Sequence, residues 1–339
     1  MNELTMTLGK AKNLLIPMFK HNCLQAGLLL SSPGIGKTSI CYAIADSLGI
    51  PRDRVLLFRP SLRDPVDLMG TPNPTDVVTR WLPPEEFYQF REGTGPGMII
   101  WDELLQGDEQ MQNAIAGCML DGVLGSLRID PQVVQIATAN RVQDKAGSKR
   151  MVTQLGNRVW QGTVTTNVDE WNAWAIDSGI VDTVRAFVRF KPDALNDFDP
   201  NRPINATPRS WELVSNNMFP GIGGDDLSYI ARGLVGQEPG ADFAAFAELG
   251  AAIDLDSILA DPHHAPLPNK PGSAFLVVGA MSGRVAADTS IFADARIVAE
   301  RFAPEFGSML VRDCIARNPA IVETAAYVDW ATSNGQNLI

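Results

Sequence analysis

Residues 26–50 read AGLLLSSPGIGKTSICYAIADSLGI, and most of what can be said of this chain starts there. A short apolar run, GLLL, leads into a glycine-containing turn and then into an amphipathic segment closed by Gly49. A strand that ends this way can turn its backbone N–H groups inward, and the start of the next helix adds the positive end of its dipole. Ser31-Ser32-Pro33-Gly34-Ile35-Gly36-Lys37-Thr38 therefore reads as a phosphate-binding loop, with Ser39 in the turn that follows. Lys37 would reach the β- and γ-phosphates of a nucleotide, and the Thr38 hydroxyl would hold Mg²⁺. Gly34 and Gly36 permit close approach of the backbone. Ser31 stands where the usual pattern opens with glycine, and reads as a small residue tolerated at a strand exit. In the helix, Ile40, Ala43, Ile44 and Leu48 make the expected apolar face.

Outward from this loop, three more apolar runs recur: VLLF at 55–58, GMIIW at 97–101 and VVQIATA at 133–139. They are dense in Leu, Ile and Val rather than alternating, as parallel strands covered on both faces should be. Helical stretches lie between them, so the first half predicts an α/β sandwich around a parallel sheet. GMIIW ends in Asp102-Glu103. A carboxylate at that strand end can complete the Mg²⁺ site with Thr38, and Glu103 is placed to orient an attacking water. VVQIATANR ends in Asn140, whose amide would lie between the first two motifs, near the γ-phosphate. An acidic pair starting a surface helix would be the plain reading of an isolated Asp-Glu. It gives way here because the motifs come in the required order, each at a strand end.

Taken together, SSPGIGKTS, DPVDLMGTP (64–72), GMIIWDELLQGDEQMQNAIAGCMLDGVLGSLRID, ATANR, LGNRV (155–159) and TPRSWE (207–212) resemble the AAA+ ATPases, and in finer wording their MoxR group. The resemblance covers about residues 26–212 and implies an ATP hydrolase using ATP and Mg²⁺. It implies that Asn140 is sensor 1, that Arg158 is an arginine finger acting on a neighbouring subunit's nucleotide, and that Arg209 is the lid arginine of sensor 2. Arg150 competes with Arg158 for the finger. By the same resemblance, Ser32 to Ser39 cradle the nucleotide, residues near Met18 to Leu24 contact its base, and activity depends on assembly, with a hexameric ring expected. It further implies an αβα domain over 1–165, a helical lid over 166–238 and a C-terminal helical region over 239–339. Hairpins expected within residues 59–90 and at GVLGSLRID would project toward a central pore or a partner. Phrases such as RGLVGQEPGADFAAF and AYVDWATSN look like those of MoxR proteins paired with a von Willebrand A-type partner. The implied function is remodelling or activation of a client protein, as by a chaperone.

The second half supports the helical part by itself. After about Asn167 the segments keep helical periodicity, with Thr207 as a cap, Pro208 at a first helical position, and no further strand signal. A formal net charge of −11 argues against a broad electrostatic grip on nucleic acid or on anionic lipid. That lowers a DNA-associated AAA+ role, and the intact Lys37, Thr38, Asp102 and Glu103 lower a scaffold that binds nucleotide without hydrolysis. NKPG at 269–272 lacks the aspartate a guanine-reading motif needs. The four cysteines are far apart with no metal-ligand spacing, and His263 and His264 lack supporting ligands. No signal peptide is evident and no apolar run spans a bilayer, so a cytoplasmic protein with reduced thiols is expected.

Overall fold

The computed structural model describes residues 5–24, 26–74, 81–144, 147–156 and 159–334. Its strands, in chain order, are β1 (Thr5–Thr7), β2 (Ala26–Ser31), β3 (Val55–Phe58), β4 (Thr71–Pro72), β5 (Trp81–Leu82), β6 (Gly97–Trp101), β7 (Val123–Leu124), β8 (Leu127–Arg128), β9 (Val133–Asn140) and β10 (Trp160–Thr165). Six of them form one parallel sheet in the order β1-β10-β2-β9-β6-β3. The four apolar runs are all strands of this sheet. The more polar β10, WQGTVT, joins it beside β2, and the short β1 follows at the edge beside β10, neither having carried a comparable apolar signal.

The lack of alternation in the strands has the expected cause: both sheet faces are covered. Leu29, Met98, Ile100 and Ile136 pack on one face with Ala11, Leu15 and Phe19 of the helix Leu8–Lys20, and with Cys41, Ile44 and Ala45 of the helix Lys37–Ser47. Leu28, Ile99, Trp101, Ala137 and Ala139 pack on the other with Met111, Ile115 and Met119 of the helix Glu109–Asp121. Neighbouring residues thus go to opposite layers, and each needs an apolar side chain. The buried face of the Lys37 helix is Cys41, Ile44 and Ala45; Ile40 and Leu48 of the expected stripe are only partly buried at its margin. Trp101, bulky for its place before Asp102, stacks on Phe87 and meets Phe58 edge-on. Its indole N–H donates to Gln135 Oε1 at 3.0 Å, so its polar atom is not orphaned.

Two small hairpins attach to this core. β4 pairs with β5, and β7 pairs with β8 across Gly125-Ser126. Ser126 Oγ donates to the Trp81 carbonyl at 3.0 Å. A Cβ at Gly125 would come within 2.7 Å of the Met69 carbonyl oxygen, so only glycine fits where the hairpins meet.

The chain divides into two compact units, Met1–Thr166 with Asp199–Asn201, and Asn167–Phe198 with Arg202–Ile339. Among its described residues, the second unit contains helices and no strand. The segment after Asn167, expected as one or two helices, is two, Val168–Asp177 and Asp182–Phe190, separated by a turn through Gly179 at φ +71°. Thr207 caps Pro208–Asn216, accepting from the Ser210 N–H, and the Ser210 hydroxyl accepts in return from the Thr207 N–H. Trp171, Phe187, Trp211 and Phe243 centre one cluster of this unit, and Val277, Met281, Phe292 and Leu310 another. No helix among the described residues is long and apolar enough to cross a membrane.

Candidate nucleotide site

The sheet order explains how the three sequence motifs meet. β9, which ends at Asn140, lies between β2, which feeds the phosphate loop, and β6, which ends before Asp102. All three strands run parallel, so their C-terminal ends share one edge of the sheet, and ligand-binding groups gather at such an edge. Gly34 and Gly36 sit at φ +78° and +102°, left-handed values that let the loop turn its amides inward before the Lys37 helix begins. Ile35 is buried and anchors the loop to the core.

Lys37 is buried, and its amine donates to Asn140 Oδ1 and Ser31 Oγ, both at 2.8 Å, and to the Ser32 carbonyl at 3.1 Å. Ser31 therefore does more than tolerate its position. Its hydroxyl accepts from Lys37 and donates to the Ser32 carbonyl at 2.7 Å. A glycine at this place would leave one acceptor fewer for the amine. Reading Ser31 by size alone overlooked this.

Thr38 Oγ1 donates to Asp102 Oδ1 at 2.9 Å, across 64 residues of sequence. The same carboxylate oxygen accepts from Thr138 Oγ1 at 2.7 Å. The other, Oδ2, faces Arg59 Nε at 3.2 Å. Arg59, directly after β3, and Thr138, on β9 within ATANR, were not legible as site residues, because the carboxylate they meet lies 43 and 36 residues away. Glu103 follows Asp102 in the left-handed region at φ 58°, ψ 40°. It is partly buried, and no hydrogen bond to its carboxylate is seen among the described residues. Below the loop, Cys41 donates its thiol to the Lys37 carbonyl at 3.2 Å; burial, then the nearby Asp102 charge, holds that thiol protonated well above its ordinary range.

The structure thus brings Lys37, Thr38, Asp102 and Asn140 together, with Glu103 adjacent in the chain. Arg158 lies outside the described residues. Arg150 is exposed, in a segment whose Lys149 N–H donates to the Leu105 carbonyl at 2.6 Å. Arg209 belongs to the second unit, exposed in the first turn of Pro208–Asn216.

No family model matches this chain, and no curated protein matches it. Among solved structures it is similar to a RuvB mutant of Thermotoga maritima at 11% identity and a TM-score of 0.41, with 87% of this chain and 86% of that one covered. It is also similar to NtrX from Brucella abortus at 15% identity and a TM-score of 0.39, covering 90% of this chain and 68% of that one. At these values the likeness is one of broad outline and says nothing about chemistry.

Proposed function

We propose that this protein is an ATP hydrolase of the AAA+ type, within its MoxR group, that spends the nucleotide on remodelling or activating a partner protein. The observation that carries the reading is the 2.9 Å contact between the Thr38 hydroxyl and the Asp102 carboxylate at the mouth of the phosphate loop. A hydroxyl and a carboxylate meeting beside a buried lysine suit a hard, oxygen-seeking cation and a polyphosphate. Thr38 and Asp102 would hold Mg²⁺, which supplies charge neutralisation at the β- and γ-phosphates when bound. The rest is done by the chain. The loop N–H groups between Ser32 and Ser39, all but that of Pro33, which has none, bind phosphate oxygens, Lys37 meets the β/γ bridge, Asn140 orients the γ-phosphate, and Glu103 takes a proton from the attacking water. In this reading Arg158 reaches a neighbouring subunit's nucleotide, Arg209 contacts the γ-phosphate in its own subunit, and the working form is a ring, expected to be hexameric. A von Willebrand A-type protein is the proposed client.

Phosphate release by wild type and Glu103→Gln, with and without added DNA, tests this. Wild type should hydrolyse ATP, dependent on Mg²⁺. Glu103→Gln should bind ATP with Mg²⁺ yet lose on the order of 10²–10⁴-fold in rate, the usual worth of a positioned base. Loss of binding in that variant would remove Glu103 from the role, and a rate that rises steeply with DNA would replace the protein client with nucleic acid.

A further inference from the structure

Thr138 lies two positions before Asn140 on β9. It is fully buried, between Ala137 and Ala139 on the strand. The β6–β9 ladder ends at Trp101 opposite Ala137, so the next pair in register would set Asp102 opposite Thr138. The backbone does not continue that pairing. The Asp102 N–H donates to the Phe58 carbonyl of β3 at 2.8 Å, and Glu103 then turns left-handed. Beside Asn22, Glu103 is the only described residue other than glycine at positive φ. Such a conformation is costly for a side-chain-bearing residue and persists only when neighbours hold it.

Thr138 supplies the hold. Its Oγ1 lies 2.7 Å from Asp102 Oδ1 and 3.2 Å from the Glu103 N–H. A hydroxyl has one hydrogen to give, and an ionised carboxylate can only accept while a backbone N–H can only donate. The polarity is therefore determined: Thr138 donates to Asp102 and accepts from Glu103. One oxygen atom fixes the carboxylate that faces Thr38 and also satisfies the amide of the strained residue after it.

We propose that Thr138 is a positioning residue, whose hydroxyl couples the orientation of Asp102 to the left-handed backbone of Glu103. The inference rests on the reading of the site as an ATP and Mg²⁺ site. Thr138 makes its effect through the other two and touches no substrate itself. Valine keeps the shape and the strand preference while deleting the hydroxyl; serine keeps the hydroxyl and deletes a methyl group.

The test compares Thr138→Val, Thr138→Ser and wild type in three measurements: steady-state ATP hydrolysis, binding of a fluorescent ATP analogue titrated with Mg²⁺, and thermal melting. For Thr138→Val, kcat should fall by about 10–100-fold, the range seen when groups that orient metal ligands are removed, with the KM for ATP within about threefold of wild type. In the same variant the Mg²⁺ concentration giving half of the Mg²⁺-dependent binding should rise several-fold. Thr138→Ser should stay within about threefold of wild type in both. Wild-type kcat and wild-type Mg²⁺ dependence in Thr138→Val would overturn the proposal. So would an equal loss in Thr138→Ser, which would assign the effect to packing, as would a fall in activity that only tracks a fall in melting temperature. A wild type that binds ATP with Mg²⁺ but does not hydrolyse it would sink the hydrolase reading, and the Mg²⁺ titration would still decide Thr138. A wild type that binds no nucleotide would overturn both.

Discussion

Lys37 with Asp102, and Arg185 with Asp313, are buried charges held in two different ways. In the first unit the Lys37 amine is held by a hydroxyl, an amide oxygen and a carbonyl, and the Asp102 carboxylate by two hydroxyls and the Nε of a half-exposed arginine. In the second unit Asp313, on the helix Pro304–Arg317, is matched by full charges. Its Oδ2 accepts from Arg185 at 2.9 Å and Arg189 at 2.7 Å, its Oδ1 from Arg189 at 2.8 Å and Asn172 at 3.4 Å. Arg185, only 2% exposed, spends its remaining groups on Asn172 and Asp182. Burial lowers the affinity of Arg185 for its proton, and Asp313 and Asp182 work against that loss. Apart from the half-exposed Arg59, the first arrangement uses neutral partners that a phosphate or a cation can replace. The second is a set of ion pairs that runs on through Asp182 to Arg317 and, with Asn172, joins three helices. A buried charge by itself therefore marks a site less well than the kind of partners that hold it.

Substitutions in the two places should separate function from stability. The largest effect is expected from Lys37→Met: hydrolysis and ATP affinity should each fall on the order of 10²-fold or more, as when a preorganised donor is removed. Its unfolding free energy in urea should fall by no more than about 1–3 kcal/mol, the cost of leaving neutral buried acceptors without their donor. A large loss of stability in Lys37→Met would erase the contrast. Next comes Asp313→Ala, which strands two arginines and should cost about 3–5 kcal/mol, read from the shift of the urea midpoint, while ATP binding at low urea persists. An unchanged midpoint would show that the ion pairs break even with their desolvation. The smallest effect belongs to Ser31→Gly, where Asn140 and the Ser32 carbonyl still hold Lys37. Hydrolysis should stay within about threefold of wild type, consistent with the loss of one of several modest hydrogen bonds. A tenfold change would make the Ser31 hydroxyl an active part of the loop.

Much of the site was legible because its parts are local. Lys37 and Thr38 follow their glycines within one loop, and Asp102 and Asn140 each end an apolar run. Ser31, Arg59 and Thr138 were not legible as partners. Ser31 was weighed as a departure from glycine, so its size was considered and its hydroxyl was not. Arg59 and Thr138 acquire meaning only through Asp102, 43 and 36 residues away. The strands β1 and β10 were missed for a similar reason. A three-residue strand has no period to detect, and WQGTVT carries too little apolar weight to stand out beside GMIIW. Trp101 could be flagged as unusual, but only its packing with Phe58 and Phe87 shows why its size fits.

The amino-acid order alone determined the strand, the glycine turn and the helix of the phosphate loop, and the strong central strands around it. Backbone conformation and burial pattern are read within a dozen residues, so one-dimensional information suffices for them. Tertiary structure decided the lateral order that sets β9 between β2 and β6, and with it the contacts of Asn140 with Lys37 and of Thr138 with Asp102. Those contacts join residues 103 and 36 positions apart through parallel register, which depends on how whole strands pack and is written in no single stretch of the chain.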